Sequence, residues 1–268
     1  MTDVFKDDIL EGKHAVITGG SSGINFGIAR RFAEKGADLT LIARTQETLD
    51  AASEELCDDF GVGAVGLSSD VRDYDTLEST IEEAVDEFGE IDILVCGAAG
   101  NFPAPAAGMS ANGFKAVVDI DLGGTFNACR AAFQHMTTPG GRIVAISAPQ
   151  STVPMAMQSH VCAAKAGVDQ LVRTLAIEWG PAGITVNAIQ PGPVEGTEGM
   201  KRLTPDADSK QKLEDALPLG RFAEKEEIAD MALYMVLPTG DYMTGAVVPV
   251  DGGQELVGGK AVTDAVMG

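Results

Sequence analysis

The sequence has few cysteines, few histidines and little positive charge, and it contains no long apolar run. Its four cysteines, Cys57, Cys96, Cys129 and Cys162, stand far apart, with no Cys-x-x-Cys pair among them. With only three histidines in the chain, that spacing matches no zinc site, and a disulfide framework does not suit 268 residues so poor in cysteine. No metal is expected. No stretch of about 18 apolar residues is present to cross a bilayer. Residues Met1 to Lys13 carry acids and no apolar run, unlike a secretory leader. The last residues read Ala-Val-Met-Gly rather than the peroxisomal address Ser-Lys-Leu, so the expected location is cytoplasmic. Lysine and arginine number 19 against 40 acids, a net charge of −21. That surface repels nucleic acid and anionic lipid, so neither is an expected partner. It either keeps a cytosolic protein soluble or adapts one to a salty interior.

What is present is apolar and regularly spaced. At 45% apolar residues the chain can bury a substantial core, and its length suits one large α/β domain over residues 1–268. Short β-branched runs, read as strands, occur at His14–Thr18, Leu39–Ala43, Val65–Ser68, Ile91–Cys96, Arg142–Ser147, Thr185–Ile189 and Ala246–Val250. Their unbroken apolar character suits a parallel sheet covered on both faces. Stripes of period 3.6 lie between them: Leu49, Ala52, Leu56 and Phe60, opened by Thr45 as a cap, then Leu77, Ile81, Ala84, Val85 and Phe88. The alternation predicts right-handed βαβ crossovers and a Rossmann-like, doubly wound sheet of seven strands. A long apolar helix is expected from Val161 to Trp179. The polar segment Gly192–Leu217 is too long for an ordinary connection and is expected to form a substrate lid.

The first strand runs into Thr18-Gly19-Gly20-Ser21-Ser22-Gly23-Ile24-Asn25-Phe26-Gly27 and then into an apolar helix. Glycines there permit a tight turn and let the backbone approach a diphosphate seated on the helix N-terminus. Ser21 and Ser22 can add hydroxyl bonds to phosphate oxygens. An acid at the end of the second strand would bond the ribose hydroxyls and repel a 2′-phosphate. This chain has Ala43-Arg44 at that point, so the expected cofactor is NADP(H), with Arg44 on the 2′-phosphate.

These residues, with Asp70-Val71, Gly97-Ala98-Ala99-Gly100, Lys165 and Pro191-Gly192, resemble the short-chain dehydrogenase/reductase family from about Leu10 to Gly253. Three stretches are similar, more narrowly, to 2,4-dienoyl-CoA reductases of the peroxisomal type. They are Ala98–Phe102, Asp119–Asp121 with Gly124–Asn127, and Gln190–Gly199. The resemblance assigns Gly19, Ser21, Ser22, Gly23, Ile24, Arg44, Asp70, Val71, Ala98, Lys165, Pro191, Gly192 and Thr197 to the cofactor. It assigns Asp121 and Lys165 to catalysis, and Asn101, Phe102, His160 and Arg202 to the substrate, an acyl-CoA. The family's usual tyrosine, four residues before the lysine, falls on Val161, and its serine on Ala148. Neither side chain can move a proton, and reducing a carbonyl requires an acid. Enoyl reductases place their tyrosine seven residues before the lysine, which here is Gln158. Asn25 and Phe26 crowd the loop where relatives have a glycine, and Cys96 replaces an asparagine that many carry.

The resemblance implies hydride addition to a conjugated dienoyl thioester, with a water held by Asp121 and Lys165 as proton source. Lys201, Arg202 and Arg221 are the candidate cations for the CoA head. It also implies a homotetramer. Two rival readings share the cofactor residues: a carbonyl reductase that uses His160 as its acid, and an inactive NADP(H)-binding protein.

Overall fold

The structure is a computed structural model that describes residues 5–267. Met1 to Val4 and Gly268 lie outside the described residues, and with them parts of the N-terminal and C-terminal readings above. The chain alternates as the sequence predicts. It runs β1 (His14–Thr18), α1 (Gly23–Glu34), β2 (Asp38–Ala43), α2 (Gln46–Phe60), β3 (Ala64–Ser68), α3 (Tyr74–Phe88) and β4 (Ile93–Cys96). It continues with α4 (Ala111–Val118), a π-helical turn (Asp119–Gly123), α5 (Gly124–Phe133), β5 (Arg142–Ile146), α6 (Ser159–Trp179) and β6 (Thr185–Pro191). The last elements are α7 (Glu198–Leu203), α8 (Ala207–Ala216), α9 (Lys225–Val236), β7 (Val247–Val250) and α10 (Gln254–Met267), broken at Gly258.

The seven strands form one parallel sheet in the order β3-β2-β1-β4-β5-β6-β7. Parallel strands need helical crossovers, which cover both faces; every residue of β1 and of β4 is buried. One apolar layer packs α1, α2 and α9 on one face through Ile28, Phe32, Leu49, Leu56 and Leu233. The other packs α3, α5 and α6 through Leu77, Ile81, Ala128, Val168 and Val172. Strand order reverses between β1 and β4, so the loops at their carboxyl ends diverge and leave a crevice between them.

Three expectations need correction. Strand β4 begins at Ile93, because Ile91 makes only an isolated bridge to Met136 across the loop. Thr45 does stand at the start of α2, but its side chain makes no capping bond. The segment Gly192–Leu217 is not loose: it holds α7 and α8, started by Thr197 and Asp206, whose side chains accept from Met200 N and Ser209 N.

Candidate active site

The crevice holds a cleft of about 580 Å³ built around the β1–α1 loop. Gly19 (φ +70°) and Gly23 (φ +61°) adopt the left-handed conformation that glycine tolerates. A Cβ on Gly19 would approach Asn25 Nδ2 at 2.9 Å and the Ala98 backbone at 3.1 Å. On Gly23, at the first turn of α1, it would meet nothing within 4 Å among the described residues. The loop is therefore tight on its strand side and open over the helix N-terminus, as a diphosphate requires. A dinucleotide fits these residues. Of the expected cofactor contacts, Gly19, Ser21, Ser22, Gly23, Ile24, Arg44, Asp70, Val71, Ala98, Lys165 and Thr197 all line this cleft. Pro191 and Gly192 instead line the neighbouring pocket described below.

Charge at the far end of the cleft is already apportioned. Arg72 donates from Nε to both carboxylate oxygens of Asp70, at 2.9 and 3.1 Å. Hydrogen bonding to that guanidinium pulls the Asp70 pKa down to about 2. Arg72 is thereby engaged, whereas exposed Arg44 has no ion pair among the described residues.

The floor of the cleft is Asp121 with Lys165. Asp121 is 1% exposed and Lys165 6%. The π-helical turn widens the helix where Asp121 sits, a device frequent at functional sites. Asp121 Oδ1 accepts from Gly100 N at 2.7 Å, tying the β4 loop to this turn. Its Oδ2 lies 3.3 Å from Lys165 Nζ, which also donates to Ile146 O at 2.9 Å. An ammonium has three donors; among the described residues one is hydrogen-bonded, to Ile146 O, and Asp121 Oδ2 lies at ion-pair distance without a hydrogen bond, so donor capacity remains for the cleft. Because Asp121 is the more buried of the two, the ammonium is the part of the pair that faces a ligand. Val161, one helical turn before Lys165, and Ala148 both line the same cleft and supply no acid there.

A second, more apolar pocket of about 490 Å³ adjoins the cleft, sharing the wall formed by Ile24, Ile146, Ser147, Ala148, Gln150 and Thr197. Met155, Met157, Met200, Leu203 and Leu213 give it its apolar character. Arg202 borders it, pairs with Glu198 and reaches Asn101 O at 3.5 Å. Asn101 itself lines the cofactor cleft. Helices α7 and α8 line this pocket through Met200, Leu203 and Leu213.

Several expected roles do not survive the geometry. His160 lines neither cavity; it is fully buried in α6 under the Phe102 ring, 4.5 Å between centroids, and among the described residues neither ring nitrogen has a partner. It cannot reach a substrate past that ring. Phe102 covers His160 and is absent from both cavity linings. Arg221 gives two 2.7 Å bonds to Glu227, whose carboxylate they hold down at about 2, so this cation is not free for CoA. Thr197 lines both cavities, but its hydroxyl donates to Val194 O at 2.9 Å. Cys96 and Cys129 lie buried with sulfurs 3.7 Å apart, and that contact with burial raises the Cys96 thiol well above its ordinary range, which makes it unreactive.

The sequence reading missed three features. Asn25 donates to Gly97 O at 2.8 Å and Gly19 O at 3.3 Å, and its amide occupies the space a Cβ on Gly97 would need. Buried Asp169, one turn after Lys165, accepts from Ser147 and from Gln190 at 3.2 Å, while Gln190 also bonds Ser151. This network ties β5, β6 and the shared wall to α6. Gln150 Nε2 donates to Gln158 Oε1 at 2.8 Å. Of these residues the sequence marks Asn25, as crowding the loop, and Gln158, by its spacing from Lys165, but not the bonds they make.

Comparison with known proteins agrees with this geometry. A family model described as enoyl-(acyl carrier protein) reductase matches residues 19–255. The chain is 42% identical over 263 residues to the peroxisomal 2,4-dienoyl-CoA reductase, (3E)-enoyl-CoA-producing, of Arabidopsis thaliana, covering 94% of this chain and 88% of that one. To the protein of the same name in Rattus norvegicus it is 43% identical over 252 residues, covering 93% and 86%. A crystal structure of a short chain dehydrogenase from Bacillus anthracis superposes with a TM-score of 0.80 at 38% identity, over 91% of this chain and 96% of that one.

Proposed function

Because the chain belongs to the short-chain dehydrogenase/reductase family, we propose that it reduces 2,4-dienoyl-CoA thioesters with NADPH. The observation that carries this is the Asp121–Lys165 pair beneath a cleft where Val161 and Ala148 occupy the family's usual acid positions. A carbonyl substrate would need a proton at the new alkoxide as hydride arrives; a conjugated thioester does not, since charge runs through to the thioester oxygen. Hydride at the δ carbon and a proton at the α carbon give a 3-enoyl thioester, the product that the plant and rat names carry.

The nicotinamide cofactor would be held by the β1–α1 loop, Asp70-Val71 and Ala98, and when bound it supplies the hydride. Arg44 supports the 2′-phosphate and hence NADPH. Lys165 keeps donor capacity for the cofactor ribose or for a water, and Asp121 pairs with the ammonium and fixes the loop at Gly100. The water held there delivers the α proton. The apolar pocket takes the acyl chain, and Arg202 with Lys201 on α7 meets the CoA phosphates. Exposed Phe126 on α5 and Ile177 on α6 suit contacts within a homotetramer, which light scattering tests.

The deciding assay is NADPH oxidation with 2,4-hexadienoyl-CoA beside simple ketones. Steady turnover of the thioester alone supports the reading. Brisk, stereoselective oxidation of secondary alcohols would make the protein a carbonyl reductase with a relocated acid, and binding of NADPH with turnover of neither would make it an inactive binding protein.

A further inference from the structure

Gln158 lines the apolar pocket, 6% exposed, at the N-cap of α6. Its carbonyl oxygen is engaged, accepting from Gln150 Nε2 at 2.8 Å, and Gln150 lines both cavities. That bond fixes which way the amide points: the oxygen toward Gln150, the nitrogen away from it. Among the described residues nothing accepts the two hydrogens on Gln158 Nε2. The preceding residue, Met157, has φ +66°, a left-handed conformation that a non-glycine residue adopts at some cost. Its carbonyl is pinned by Ala104 N at 2.8 Å. The chain is thus bent against its preference at the point that turns Gln158 into the pocket.

On the shared wall Ser147 donates to Asp169 and Thr197 to Val194 O, while Gln150 spends one amide hydrogen on Gln158 and keeps the other. Gln254 borders the apolar pocket but bonds nothing on the shared wall.

We infer that Gln158 is a catalytic residue whose amide nitrogen donates to the thioester oxygen of the substrate, stabilising the negative charge that gathers there as hydride adds. The inference rests on the dienoyl-thioester reading above. An amide whose orientation is set beforehand, in a pocket with mostly apolar walls, is worth far more to a developing oxyanion than the same group in water. It also gives Gln150 a role: by holding the carbonyl end it prevents the amide from flipping its oxygen toward the substrate.

The test uses the whole protein with NADP⁺ and 2,4-hexadienoyl-CoA, reading the absorbance of the bound thioester, which shifts to the red when its carbonyl is polarised. Wild type and the control Gln134→Leu, whose exposed side chain lines neither cavity, should show the shift. Gln158→Leu should lose it and lose about 10²-fold in kcat, with the NADPH dissociation constant within about twofold of wild type as the check that the cleft is intact. Gln158→Asn, one methylene shorter, should behave the same way if Gln158→Leu fails to fold. Retention of the shift or of kcat in the folded Gln158 variant overturns the inference, as does loss of the shift in Gln134→Leu. If wild-type protein neither binds nor shifts the thioester, it is the substrate reading that fails, and this inference falls with it.

Discussion

Removing the ammonium from beneath the cleft should harm the protein more than removing the carboxylate beside it. Lys165→Met keeps most of the stem but leaves Asp121, 1% exposed, with a buried charge and no cation near it. Breaking a buried pair from one side costs about 3–5 kcal/mol. Asp121→Asn keeps an oxygen for Gly100 N and leaves the ammonium bonded to Ile146 O, so its cost should be nearer about 1–2 kcal/mol. The double variant carries no stranded charge and should recover about 2 kcal/mol relative to Lys165→Met. Thermal unfolding resolves this, since about 1 kcal/mol moves the midpoint of a chain this long by about 2–4 °C. Cofactor titration adds a second axis. Lys165→Met and the double variant should bind NADPH more weakly, and Asp121→Asn nearly normally, because the ammonium is what faces the cleft. All three should lose dienoyl-CoA turnover by about 10²-fold or more. If Lys165→Met proves no less stable than Asp121→Asn, or the double variant no more stable than Lys165→Met, the two groups are not an ion pair. If Asp121→Asn keeps most of its turnover, the carboxylate only holds the β4 loop.

Arg44→Asp should narrow or reverse a preference for NADPH over NADH of about tenfold or more, the worth of a charge-assisted phosphate bond; equal dissociation constants for the two cofactors in wild type would refute the role given to Arg44. Asp70, lowered from an ordinary 3.8 to about 2, stabilises the fold at any pH above its unfolded value. Allowing for solvent around a pair 30% and 42% exposed, that is about 1 kcal/mol. The stability gap between wild type and Asp70→Asn should therefore close as pH falls through the interval between those two values, and a gap constant across it in denaturant titrations would refute the assignment. Gly97→Ala should sharply weaken NADPH binding and lower the melting temperature, and adding Asn25→Gly should restore much of both; a double variant no better than Gly97→Ala would show that the clash lies elsewhere.

The strands were legible because a parallel sheet covered on both faces demands unbroken apolar runs, which β1, β4 and β5 supply. The glycine loop and Lys165 were legible through their fixed spacing. Asp121 was found, but not its setting: whether an acid inside a helix meets solvent or a lysine depends on the π-helical turn, which leaves no mark in composition. The lid helices were hidden because α8 is polar nearly throughout, with Leu213 as its one buried residue. His160 and Arg221 misled for one reason. Each has chemistry suited to a site, and only tertiary contact shows that Phe102 covers the first and Glu227 occupies the second. The network through Asp169 joins α6 to β6, residues far apart in sequence, and no local pattern could announce it.

The fit between Asn25 and Gly97 bears on how such a sequence can change over time. The family resemblance places a glycine in the loop where this chain has Asn25. Here any side chain at position 97 collides with the amide of Asn25, while glycine at position 97 is compatible with either residue at 25. The permitted route is thus ordered: a glycine at 97 must be in place before asparagine appears at 25, and on the way back asparagine must leave first. Once both are present, each substitution that looks acceptable by comparison with relatives is conditional on the other. Variants built by copying single residues from relatives into this loop would fail in one order of construction and succeed in the other.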